Sequence, residues 1–131
     1  MKVVKMPAAP SPKKKSSMPT SVKVGTQVFN IIERSADVDG MLTDNTYGYT
    51  LDEKNLIVVD ADIHKTKKQI TLLHEILHAC RMVFDNSLKP KKTDDFETWE
   101  HYFIGTIENS LLLVFSQNPG LIDWLLEDSD S

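Results

Sequence analysis

The chain has 131 residues, 40% of them hydrophobic, enough for one domain with a modest core. Its net charge is −4, but five lysines and no acid fall in residues 1–20, so ten basic residues face nineteen acidic ones across residues 21–131, about −9, a poor match to a phosphate backbone that excludes nucleic acid as the main partner. Cys80 is the single cysteine, so no intrachain disulfide forms, no stretch reaches membrane-spanning length, and the N-terminus lacks the apolar run of a secretory signal; a soluble cytoplasmic protein is the expectation.

Residues 1–20 read as a disordered basic arm, punctuated by Pro7, Pro10, Pro12 and Pro19 and carrying the block Lys13-Lys14-Lys15. Its plain reading is a solvated tail; a nuclear address or a tether to an acidic partner is the functional alternative. Residues 21–127 form the single domain, and 128–131 a frayed acidic tail.

Val22, Val24, Val28, Ile31 and Ile32, around the turn signal Gly25-Thr26, predict two short strands near 22–24 and 27–34. Ser35 to Asn45 is a polar loop. Tyr47 to Leu51 predicts a third strand, and Asp52 to Asn55 turns the chain. The apolar run Leu56-Ile57-Val58-Val59 predicts a fourth strand buried on both faces. Thr66 is positioned to cap a helix running to Phe84, stopped by Asp85-Asn86-Ser87 and Pro90. Asp94 and Glu97 form a capping-box pattern ahead of a helix over about 95–117. Asn118-Pro119 reads as the cap of a short third helix carrying Leu121, Ile122, Trp124, Leu125 and Leu126. Strands first and helices afterwards make the fold α+β: a small N-terminal antiparallel sheet packed on two long helices plus a short C-terminal helix.

The segment His74-Glu75-Ile76-Leu77-His78 carries the most specific chemistry. Histidines four apart share one helix face and are spaced to hold one zinc ion, while Glu75, rotated about 100°, reaches a metal-bound water as general base. The apolar arc of this helix includes Leu72, Leu73, Ile76, Leu77, Ala79 and Cys80, with both histidines at its edge, where a helix lines a cleft. A zinc site needs a third protein ligand. Glu97, Glu100, His101 and Glu108 are the candidates on the next helix. Glu100 falls nearest the centre of the stripe made by Phe96, Phe103, Ile104, Ile107, Leu111 and Val114, where a carboxylate is costly unless a cation or hydrogen bonds compensate it; zinc would do so, and the plain alternative is a first-turn Glu tolerated by the helix dipole. His64 reads as exposed and Cys80 as a small core residue. Arg81 reads as the partner of an acid; Tyr47, Tyr49 and Tyr102 are possible oxyanion donors, and the late Trp and Phe residues read as core.

The stretch Val22 to Leu126 resembles small phage and prophage proteins related to the ImmA/IrrE-type zinc metallopeptidases. The likeness rests on Val24-Gly25, on Asn55 to Asp60, on Lys68 to Ala79, and on Glu100 ahead of Asn118-Pro119 and Trp124-Leu125. It implies a minimal zincin-like core binding Zn2+ through His74, His78 and an acid best matched by Glu100, with Glu75 as catalytic base, hydrolysing a peptide bond in a phage or host protein, in the host cytoplasm if phage-encoded. The Leu56–Val59 strand is then expected to pair with an extended peptide substrate. The alternative is a metal-stabilised protein-binding regulator with little turnover; a virion component is a third reading.

Overall fold

A computed structural model describes residues 17–84 and 89–128. The predicted stop signal Asp85-Asn86-Ser87, most of the basic arm and residues 129–131 lie outside the described residues. Seven elements follow in order: β1 Ser21–Val24, β2 Gln27–Arg34, β3 Gly48–Leu51, β4 Leu56–Asp60, α1 Lys65–Phe84, α2 Phe96–Gln117 and α3 Leu121–Leu125. The class is α+β as expected, and no helix among the described residues is long and apolar enough to cross a membrane.

The sheet corrects one expectation. Its order is β1-β2-β4-β3, with β2 and β4 parallel and the outer pairs antiparallel, so it is mixed. The β1–β2 hairpin turns through Gly25 at φ +63°, beside Phe84, where no side chain fits. The long 35–47 segment then carries the chain to the far edge. The β3–β4 hairpin, turning at Asn55 with φ +46°, returns β4 into the slot between β2 and β3.

Alternation sorts the two faces. Val22, Val24, Phe29, Ile31, Ile57 and Val59 point to the helices and join Leu72, Ile76, Ala79, Val114 and Trp124 in one core. Val58 points the other way and is fully buried, and Leu42 from the 35–47 segment is buried too. This explains why the Leu56–Val59 run is continuously apolar.

A polar clamp fastens that covering segment. Tyr49 Oη donates to Asp39 Oδ2 at 2.5 Å, and Arg34 Nη1 approaches both groups, at 3.2 and 3.5 Å. The Tyr49 hydroxyl, the Met41 amide and Arg34 hold the Asp39 carboxyl below its usual range, while burial and the facing carboxylate push the Tyr49 phenol up. A lowered carboxyl contributes stability that is complete above its unfolded pKa and is lost as pH falls through the folded one. Asp39→Asn is therefore expected to cost stability at neutral pH, with the gap to the native protein closing below about pH 4 in urea unfolding. A gap that stays constant down to acid pH rules this out.

The helices end differently from their sequence signals. α1 begins at Lys65, placing Thr66 inside the first turn, with Lys68 N–H donating to His64 O. The α2 cap is Asp95, which accepts from Thr98 N–H at 2.9 Å; Asp94 instead accepts from Lys91 N–H. Asn118 closes α2 rather than opening α3, whose cap position is Gly120. Gln69 Nε2 donates to the carbonyls of Trp124 and Glu127, and Lys65 pairs with Glu127, so α3 is tied to the first turns of α1.

Candidate functional site

α1 lies beside β3, and this contact builds the site. Gly48 and Thr50 face the helix. A Cβ on Gly48 would come 2.6 Å from Thr71 Cγ2 and 2.7 Å from Val58 O, so this approach requires glycine. Two residues on, Thr50 Oγ1 lies 3.0 Å from Glu75 Oε1 and 3.2 Å from the Glu75 carbonyl. Glu75 is only 5% exposed and yet lines the cleft. Its other oxygen is 3.9 Å from His74 Nε2. His74 and His78 stand outside it with their Nε2 atoms 3.1 Å apart, a contact in which one ring donates and the other accepts. Around this group runs an open cleft bounded by Asn45–Thr50 on one side and Ile70, His74, His78 and Met82 on the other. Lys67 Nζ sits 4.1 Å over the Tyr47 ring at one end.

The two backbone edges of the sheet are treated differently. Asp60 N–H donates to Tyr47 O, so by antiparallel alternation Tyr49 and Leu51 also pair with β4. The N–H and C=O of Gly48 and Thr50 therefore point outward along β3, and none of the described hydrogen bonds from outside the sheet reaches them. At the opposite edge Lys23 occupies the equivalent outward position on β1. Its N–H donates to Asn118 Oδ1 and its C=O accepts from Asn118 Nδ2, both at 2.8 Å. One edge is capped by a side chain; the other borders the cleft.

The metal reading does not survive this geometry. The two imidazoles converge, but the third ligand expected from α2 does not join them. Phe103, Thr106 and Ile107 are the α2 residues that face His74 and His78 across the interhelical groove. Glu100 is exposed, as are Glu97, His101 and Glu108, and Glu97 and His101 pair with each other at 3.7 Å. The helical wheel's stripe does contain Glu100, but only its C-terminal end is covered: Val114 is buried and Ile107 and Leu111 are half-buried, while the N-terminal end that carries Glu100 is exposed. The α2 residues buried in the fold are Ser110 and Val114, and Phe96, Phe103 and Ile104 are exposed. Among the described residues no group of three His, Cys, Asp or Glu is placed to hold a metal ion. The Zn2+ cofactor, the zinc metallopeptidase activity, the zinc-activated water on Glu75, and the metal-stabilised regulator offered as the alternative are thereby overturned, as is the inferred ImmA/IrrE-type, zincin-like identity.

Other assignments divide. Cys80 is buried against α2, and burial pushes its thiol up against a smaller opposing effect of Ser110, so it is a core residue and no nucleophile. Trp124 is core as expected, whereas Phe96 and Phe103 are not. Arg81 has no ion-pair partner among the described residues. Tyr49 is committed to Asp39 on the far face, away from Glu75. The strand beside the cleft is β3, not Leu56–Val59, which lies inside the sheet. Sequence reasoning missed the open edge at Gly48 and Thr50; the glycine within a strand pattern was its only local signal. The chain stands apart in comparison as well: no protein-family model, no curated protein and no solved structure matches it.

Proposed function

We propose that this chain is a peptide-binding domain that takes an extended segment of a partner protein onto β3. The observation that carries the reading is the contrast between the two sheet edges: Asn118 satisfies Lys23 on β1, while Gly48 and Thr50 face an open cleft. An uncapped edge strand offers its backbone to an incoming strand, and pockets beside it read alternate side chains of that strand. Glu75 supplies an acceptor at the floor of the cleft, and His74 and His78 supply ring nitrogens along its wall. Their task here is recognition, with no bond made or broken.

The probe is a random dodecapeptide library displayed on beads, followed by N-methyl scanning of a selected peptide in fluorescence anisotropy. Methylation at alternate residues is expected to weaken binding about tenfold, the loss of one backbone hydrogen bond, with little effect at the residues between. Amide shifts at Gly48 and Thr50 accompany binding. Binding indifferent to N-methylation, or shifts confined to another face, rejects the proposal.

A further inference from the structure

The exposed N-terminal end of the α2 stripe belongs to a larger feature. Leu77, Phe103 and Ile107 line one stretch of the groove between α1 and α2, and Ile70, Leu73, Phe115, Ile122 and Leu126 line the next, a cleft of about 390 Å³. Leu73 and Leu77 are one turn apart on α1, so the two stretches form a single apolar trough. Several of its members are largely in water: Ile70 is 66% exposed and Leu126 77%. Together with Phe103, Ile104 and Ile122 they leave on the order of 500 Å² of apolar surface uncovered, at the upper end for a monomer and about three fifths of one partner's share of a standard interface.

The rims of the trough carry opposite charge. Arg81 stands on the α1 side, at the end where Phe103 lies opposite. Glu97 and Glu100 stand on the α2 side, one turn or two before Phe103 at that same end. Neither Arg81 nor Glu100 has an ion-pair partner among the described residues. We infer that the trough is covered by a second copy of this chain, related by a two-fold axis running along it. That operation lays α1 of one copy on α2 of the other without reversing direction. Leu77 then meets the partner's Phe103 and Ile107, Ile70 and Leu73 lie over the partner's Phe115 and Ile122, and Arg81 comes over the acidic end of the partner's α2. The interface is isologous, so each charge pair occurs twice. Rotating one copy end over end instead sets α1 on α1 and α2 on α2 with their ends exchanged, which carries the partner's Arg81 and Glu100 to the far end of the trough and pairs neither charge. The end of the apolar stripe that the monomer leaves exposed, and the acid within it, are covered and paired by the same step.

The test is sedimentation equilibrium on the full chain. The native protein is expected at twice the 14.8 kDa chain mass. Arg81→Glu and Glu100→Arg are each expected to raise the dimer dissociation constant at least about tenfold, and the double exchange to restore it. Ile70→Lys is expected to give monomer with an unchanged circular dichroism spectrum and melting cooperativity. A monomer at every concentration up to the solubility limit overturns the inference. So does a dimer indifferent to both single reversals, or one weakened by each but not rescued by the exchange.

Discussion

Asn118→Ala is expected to lower unfolding stability by about 2–3 kcal/mol, near 10 °C in melting temperature for a domain of this size. The side chain accepts from Lys23 N–H, donates to Lys23 C=O, and lies within 2.7 Å of Val114 O at the end of α2. Each bond contributes on the order of 1 kcal/mol net, and the truncation removes all of them together. It also uncovers the β1 edge, so the variant is expected to aggregate on heating where the native chain refolds. Asn118→Asp separates the contributions, since it keeps the acceptor and loses the donor. Urea unfolding in which Asn118→Ala matches the native protein within about 0.5 kcal/mol would show that water replaces these bonds at no cost.

Gly48→Ala is expected to cost about 2–3 kcal/mol and to weaken peptide binding at the same time. The added methyl meets a side-chain methyl at 2.6 Å and a main-chain oxygen at 2.7 Å, and the second cannot rotate away. β3 must then draw back from α1, taking Thr50 from Glu75 and widening the cleft. Thr71→Ser removes the Cγ2 contact and leaves the one to Val58 O, so the double variant is expected to recover part of the lost stability. That non-additivity is the signature of a shared steric contact. Independent, additive effects of Gly48→Ala and Thr71→Ser would mean that the two residues do not meet in solution.

The elements themselves were legible because each rests on local pattern. The 21–24 and 27–34 strands, the Gly25 turn, and both long helices follow from periodicity and from residues with restricted backbone preferences. Even the burial of Leu56–Val59 on both faces was written in its unbroken apolar run. Cap positions were less secure. Asp94 and Asp95 are equally good caps in composition, and the choice between them depends on which one reaches Thr98 N–H while the other turns back to Lys91.

The site shows the same division more sharply. The spacing of His74 and His78 by itself determined that two imidazoles would converge, and they do, at 3.1 Å. The wheel puts Glu100 within an apolar stripe of α2. Only the tertiary structure decided that the Val114 end of that stripe is buried while its Glu100 end stays in water. A helical wheel fixes the angles between side chains but not the rotation of the helix about its own axis. That rotation is set by what packs closest: Ser110 and Val114 are the α2 residues buried in the fold, and Ser110 lies by Cys80 of α1. The same holds for the sheet. Sequence determined four strands, but the place of β4 between β2 and β3, and hence which edge lies open at Gly48 and Thr50, was decided by chain crossings between residues far apart in sequence, which local periodicity does not encode.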